Sequence, residues 1–290
     1  MEKSQKIRVG IKMKILITGN SGYIGSHLTQ LLGKRTDLEL YGLDNNIPHI
    51  PIKNFFYHDI TKPHEFKHLK QDIIFDCVIH LAAKVSVSHS VKDPILYYVT
   101  NTVGTLNILK NIATKRFINA STGAASDMIS PYGISKRAAE EIVDQYCKEN
   151  SIPFTTFRFY NVTGSDGTKP TNPDGLMWNL MSAQKTGVFN LFGDDYNTLD
   201  GSAVRDYTHV NEICNALEQA IDRSTNQIEN LGHGVGTTVK QMINLYKKVN
   251  NCEFDVHVCP RRVGDLERSV LDKPSPFMQQ LYTMKDLLKV

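Results

Sequence analysis

No apolar stretch in this 290-residue chain is long enough to cross a membrane, which excludes a spanning helix. The five cysteines (Cys77, Cys147, Cys214, Cys252 and Cys259) show no CxxC and no histidine pairing. They read as reduced core or surface thiols of a cytoplasmic protein rather than a disulfide frame, and no metal set is expected. Long Lys/Arg runs are also missing, and the formal net charge is only +3. A nucleic-acid face is therefore not expected, although a few placed arginines would suffice for an anionic small molecule. The first twelve residues, MEKSQKIRVGIK, lack the apolar core of a secretory signal. They read as a loosely ordered lead-in, with Met13 a plausible chain start. There are no internal repeats or low-complexity tracts, which excludes repeat architectures.

What is present is an ordinary globular composition, 41% apolar and 22% charged. Its length suits one large α/β domain or a main domain carrying a smaller one. Through the first half, β-rich runs (KILITG, LELYGLD, NFFYHD, FDCVIHLA, RFINAS and PFTTFRFYNV) alternate with helical ones. YIGSHLTQLLGK, LYYVTNTVGTLNILKNIA and YGISKRAAEEIVDQYCKEN carry apolar residues at helical spacing. Apolar strands separated by crossover helices predict a doubly wound parallel sheet of Rossmann type, with its ligand site at the C-terminal strand ends. After about residue 164 a Gly/Pro/Asp/Asn loop, GSDGTKPTNPDG, changes the texture. A helix from Leu176 to Lys185, a strand near VFNLFG and a helix in VNEICNALEQAI follow. The expected division is a dinucleotide-binding domain over 13–165, with returning segments near 204–222, and a smaller, discontinuous substrate lobe over 166–290.

Gly19, Gly22 and Gly25, in GNSGYIG, sit where a strand becomes a helix. Gly19 would allow the tight turn, Gly22 would let backbone approach a pyrophosphate, and Gly25 would let the helix pack on the sheet. The spacing is GxxGxxG rather than the commoner GxGxxG. Asp44 ends the second strand 19 residues after Gly25, where a carboxylate accepts both adenosine-ribose hydroxyls and repels a 2′-phosphate. Asn45 and Asn46 supply no arginine to neutralise one, so NAD is favoured over NADP.

In SPYGISK, Tyr132 and Lys136 lie four apart and share one helix face. Ser130 fits the N-cap and Pro131 the first helical position. The positive helix end and Lys136 are expected to lower the Tyr132 pKa from its reference of about 10. Such a phenolate takes a proton from a sugar hydroxyl while hydride leaves the same carbon. Ten residues upstream, NAST offers Thr122, with Ser121 as a rival, to hydrogen-bond the reacting oxygen.

With these residues in this order, the chain resembles the extended short-chain dehydrogenase/reductase family, and within it the UDP-glucose (UDP-galactose) 4-epimerases. The likeness runs from about Lys14 to Leu271 and includes DNN, HDIT, VIHLAAKVSVSHS and YYVTNTVGTLNIL. The resemblance implies a cofactor site of Gly19, Gly22, Tyr23, Ile24, Gly25, Asp44 and Asn45. It implies that Asp59 and Ile60 meet the adenine and that Leu81, Ala82 and Ala83 line the cofactor. Asn101 would anchor its loop, and Tyr160 would lie against the nicotinamide with Tyr132 and Lys136. LFGDDYNTLDGSAVRDYTHV and PRRVGDLERS look like the stretches carrying diphosphate arginines, here Arg205 and Arg262, and a ribose-binding carboxylate, Asp265. Asn161 and Leu176 match positions at the sugar or diphosphate end. Paired guanidiniums suit a diphosphate chemically, because they bind its oxygens in fixed geometry.

The implied activity is NAD-dependent C4 epimerisation of a UDP-sugar through a 4-keto sugar. The implied assembly is a homodimer through helices near 95–113 and 132–149. Three departures stand out. Between Thr122 and Tyr132 only GAASDMISP remains of a usually longer insertion, so one wall of the site is expected to be incomplete. The chain ends at Val290, short of the family's usual C-terminal segment. Ser269 replaces a residue that is bulky in strict galactose epimerases, leaving room for a 2-N-acetyl group. A 4,6-dehydratase is disfavoured because Gly123 and Ala124 follow Thr122 where an acid pair is needed. A reductase or decarboxylase of the same family is the alternative, and the Tyr/Lys pair argues against a non-catalytic NAD-binding protein.

Overall fold

A computed structural model describes residues 12–69, 73–165, 170 and 172–289. The expected loose order of residues 1–12 falls almost wholly outside them, as do positions 166–169 and 171 of the Gly/Pro loop. All six β-rich runs form strands: β1 (Met13–Thr18), β2 (Leu38–Asp44), β3 (Asn54–Tyr57), β4 (Cys77–His80), β5 (Phe117–Thr122) and β6 (Phe154–Phe159). The last run breaks at Tyr160, and its end becomes β7 (Asn161–Thr163) in another sheet. Then come β8 (Val188–Phe192), β9 (Val204–His209), β10 (Gln227–Leu231), β11 (Gly236–Thr238), β12 (Asp255–Cys259) and β13 (Arg268–Ser269). The helices are α1 (Tyr23–Leu32), α2 (Val87–Lys92), α3 (Pro94–Tyr97), α4 (Gly104–Asn111), α5 (Ala124–Asp127), α6 (Pro131–Glu149), α7 (Leu176–Thr186), α8 (Val210–Asp222) and α9 (Val239–Asn250).

The main sheet has the order β3-β2-β1-β4-β5-β6-β10, and every pair in it is parallel. Alternation along β1 sends Ile15 and Ile17 to one face and Leu16 to the other. On the first face they meet Leu28 and Leu32 of α1 and Ile213 and Leu217 of α8. On the second, Leu16 packs with Ile108 of α4 and Val143 of α6. The chain runs from β1 outward to β3, then restarts at β4 on β1's other side, so a crevice opens where the order reverses.

The stretch read as one helix over 96–113 is instead α3, a wide π turn (Tyr98–Val103) and α4. The turn carries buried Asn101, which accepts from Lys84 N at 2.8 Å and donates to Lys84 O and Ser135 Oγ, each at 3.0 Å. A second sheet, β11-β9-β13 with β7 also on β9, stands beside the crevice. A third core holds Leu180 of α7, Leu191 of β8, Met242 and Tyr246 of α9, and Leu287 and Leu288 near the chain end. Phe277, in contrast, packs edge-on against Phe157 in the main core, so the last segment is buried in both cores. Among the described residues no helix is long and apolar enough to cross a membrane.

Candidate active site

The turn after β1 is built so closely that only glycine fits. Gly19 has φ +74°, and a Cβ there would lie 2.6 Å from Ala82 N. A Cβ on Gly25 would lie 2.1 Å from Gly19 O. The turn leads into α1, whose N-terminus has no side-chain cap and no acidic residue in its first turn. Its N–H groups and positive dipole end are thus left for an anionic group. Asp44, nearly buried at the end of β2, braces this turn: Oδ2 accepts from Ser21 N at 3.0 Å, and Oδ1 from Asn46 N at 2.9 Å. Asn45 stays exposed beside it. Asp59 closes a local turn through Thr61, and Ile60 is buried beneath α4, its carbonyl accepting from Asn107.

Ser130 caps α6 by accepting from Gly133 N at 3.2 Å, with Pro131 at the first position. Tyr132 and Lys136 are both buried. Burial pushes the Tyr132 phenol up to about 12, opposed by its hydrogen bond with Thr122. The expected depression of this phenol is therefore corrected: in the protein alone, desolvation of the anion by burial dominates. Lys136 itself is pushed down to about 8 by burial, with Glu140 opposing. Both candidates on β5 border the cleft: Ser121 donates to Glu140 at 2.5 Å, while Thr122 Oγ1 accepts from Ala124 N at 3.3 Å and acts to lower the Tyr132 phenol.

One cleft of about 480 Å³ brings most of the expected residues together. Gly19, Gly22, Tyr23, Ile24, Gly25, Leu81 and Ala83 line it at the glycine turn and the end of β4. Thr122, Tyr132, Lys136 and Tyr160 line its middle, while Asn161, Leu176, Arg205, Arg262, Asp265 and Ser269 line the far side. Asp44, Asn45, Asp59, Ile60, Ala82 and Asn101 do not line it; Asp44 and Asn101 brace its edges from behind. The short stretch after Thr122 forms the single turn α5, and Gly123 lets the Tyr160 ring pack where a Cβ would be 3.0 Å away.

The second sheet sets the far side. Register places Ser269 beside Arg205 and Asn161 beside Tyr207. Arg205 lies 3.9 Å from Asp265, and Arg262 lies over the Phe192 ring, 3.8 Å from its centre. Burial raises the Asp265 carboxyl above the usual range, against the pull of Arg205 and Arg262. Asp174, which no local spacing marks, also faces the cleft: it accepts from Ser86 at 2.5 Å and Ser88 at 2.7 Å and lies 3.9 Å from Arg262. Burial pushes its carboxyl up, but these hydrogen bonds and Arg262 hold it below the usual range.

A crevice at the reversal of a parallel sheet, floored by an uncapped helix N-terminus, is the architecture of a dinucleotide-binding protein. Sequence comparison makes the assignment narrower. The chain belongs to the NAD dependent epimerase/dehydratase family, which matches residues 15–232. The UDP-glucose 4-epimerase of Mycoplasma genitalium is 32% identical over 297 residues, spanning 89% of this chain and 87% of that protein. The Thermus thermophilus UDP-glucose 4-epimerase in complex with NAD superposes with a TM-score of 0.78 at 29% identity, covering 89% of this chain and 90% of that one. The Thermotoga maritima UDP-glucose 4-epimerase with UDP-glucose gives 0.82 at 27% identity, covering 95% and 96%.

Proposed function

We propose that this protein is an NAD-dependent UDP-sugar 4-epimerase. The carrying observation is that one cleft is lined by the glycine turn, by Tyr132 and Lys136, and by Arg205 and Arg262. The glycine turn and the α1 N-terminus would hold NAD, which would supply a reversible hydride acceptor for the sugar C4. The chain's own residues do the rest. Tyr132 Oη removes the C4 hydroxyl proton and later returns it, with Thr122 hydrogen-bonding the same oxygen. Lys136 supplies positive charge at that end, and Tyr160 packs beside it. Asp44 stands outside the cleft at the glycine turn, where the lone pairs left by Ser21 and Asn46 would accept from the adenosine ribose, and Asn101 fixes the loop after β4. Arg205 and Arg262 grip the diphosphate and Asp265 the uridine ribose, while the sugar, held by few polar groups, turns about its tether as the 4-ketone. We read this as a cofactor-binding unit over 13–165 with returning segments near 204–222, to which α8 and β10 contribute, and a mainly substrate-binding lobe over 166–290.

Ser269 favours substrates carrying a 2-N-acetyl group. We also read the protein as a cytoplasmic homodimer. Val91, Ile95, Val99, Val103 and Leu106 are all solvent-exposed at spacings of three or four, which supports an apolar stripe covered by a second copy. Incubation with UDP-, GDP- and dTDP-sugars, followed by product separation, tests the reading. Formation of the C4 epimer from a UDP-sugar, lost in Tyr132→Phe, is the expected result. Absence of any epimer from the panel, or unchanged turnover in that variant, refutes it. Equal or better use of UDP-glucose than of UDP-N-acetylglucosamine overturns the Ser269 assignment.

A further inference from the structure

A fully buried carboxylate lies behind the catalytic wall, and the chemistry above leaves it without a task. Glu140 sits on α6 one turn beyond Lys136, with no exposed side-chain surface. Arg158 of β6 grips both its oxygens, Nε to Oε1 at 2.8 Å and Nη2 to Oε2 at 2.6 Å. Ser121 of β5 adds a third donor at 2.5 Å. The remaining Arg158 nitrogen, Nη1, donates to Ser126 of α5 at 2.8 Å. Arg137 approaches from the outer side at 3.9 Å. Such a two-pronged pair with further donors is the geometry in which a buried ion pair recovers its desolvation penalty.

Resting on the reading of Tyr132 and Lys136 as the reacting pair, we propose that Glu140 is a positioning residue. It ties the end of β5, through Ser121, and the short α5 turn to α6, and sets a fixed negative charge one helical turn from Lys136. Two observations support this. The Ser121 bond to Glu140 fixes the end of β5, where Thr122 borders the same cleft as Tyr132 and Lys136. The single turn α5 replaces a longer wall, and its Ser126 is held by the same Arg158. Lys136 is otherwise disfavoured as a cation by burial, and Glu140 is the charge that opposes this. The other ionisable groups on elements packed around it act differently. His80 of β4 is kept neutral by burial, with a pKa lowered to about 3. Tyr97 of α3 packs on the Tyr132 ring. Asp127 of α5 acts on Arg158 and Tyr160. His89 of α2 lies against Tyr97.

The test uses the full chain, loaded with NAD for turnover and freed of it for binding. Glu140→Gln alone leaves Arg158 charged and unpaired, so the double variant Glu140→Gln/Arg158→Gln, which keeps an amide pair, is measured beside it. Two profiles are recorded from pH 6 to 10: kcat/KM for the UDP-sugar, and NAD affinity by calorimetry. The expected result is that the alkaline break of both moves down by about one pH unit in the double variant. In addition, kcat falls about tenfold or more with KM little changed, as for misplacement of an acid–base group. Glu140→Asp, which keeps the charge, is expected to restore most of the break. An unmoved break in the double variant, with only a lower melting temperature, overturns the proposal and leaves the pair as structural support. If the wild type turns over no UDP-sugar, the epimerase reading fails, and the NAD-affinity profile still decides the role of Glu140.

Discussion

Gly25→Ala is the sharpest single probe of the cofactor turn. The added Cβ would stand 2.1 Å from Gly19 O, 2.7 Å from Asn20 Cα and 2.9 Å from Gly19 C. All three are backbone atoms, so no side chain can swing aside, and the turn must move by about 1 Å to reach ordinary contact distance. Gly19 O is also the acceptor of the Gly22 N–H, at 3.1 Å. Losing that bond costs about 1 kcal/mol, and overpacking adds about 1–3 kcal/mol, giving about 2–4 kcal/mol in total. For a chain of this size, about 2 °C of melting temperature corresponds to each kcal/mol, so the NAD-free protein should melt about 4–8 °C lower. The effect on NAD is separable. At 100 times the wild-type Kd, ligand stabilises by about 2.7 kcal/mol, or about 5 °C. If the displaced turn weakens NAD about 100-fold, the same concentration gives only about 0.4 kcal/mol and a shift below about 1 °C. Melting curves with and without NAD measure both quantities. A variant that melts like wild type, or that keeps the full NAD-induced rise, refutes the claim that this turn lies flush under the pyrophosphate.

Three further outcomes are expected. Thr122→Val should lower kcat by about 100-fold or more with little change in melting temperature, as followed by product separation; an effect on melting alone would make Thr122 structural. His80, bonded to Thr18 and Thr105 at 2.7 and 2.9 Å, has its pKa lowered to about 3 by burial, with Lys136 adding to the effect. The unfolded chain therefore binds the extra proton first, and stability should fall from pH 6.5 towards 3 with a slope of up to about 1.4 kcal/mol per unit. In His80→Gln this slope in urea denaturation should drop by one proton's worth. Finally, a Cβ on Gly42 would lie 2.7 Å from the Asn20 side chain, whose buried amide has no hydrogen-bond partner among the described residues. Gly42→Ala should cost about 1–3 kcal/mol alone and close to nothing in an Asn20→Ala background, a coupling that a double-mutant cycle in urea measures directly.

Much of this molecule is written in local pattern. The six β-rich runs, the α6 cap at Ser130 and Pro131, and the glycine turn leading into α1 all depend on residues within one or two turns of each other. They are legible because backbone propensity and capping act over that range. Two local readings missed for tertiary reasons. Helical spacing over 96–113 gave no sign of the π turn, which accompanies the bonds of Asn101 to Lys84 and Ser135 in other elements. The run ending in Asn161 and Val162 looked like one strand, but β7 has a partner 46 positions away in Tyr207 and leaves the main sheet.

What the sequence by itself determined was the inventory: a strand–glycine turn–helix, a carboxylate closing β2, a Tyr/Lys pair on one helix face, and arginines in two later stretches. What only tertiary structure decided was which of these meet, and with what electrostatic result. Strand register put Ser269 beside Arg205, and the reversal of strand order at β1 and β4 opened the crevice they share with Gly19. The choice between Ser121 and Thr122 was undecidable from two adjacent hydroxyls. Only the folded chain shows that both border the cleft and that Ser121 is bonded to Glu140. The direction of the Tyr132 shift was not local either. Local sequence argues for a low value through helix end and lysine, but burial raises it, and burial is a property of the assembled fold.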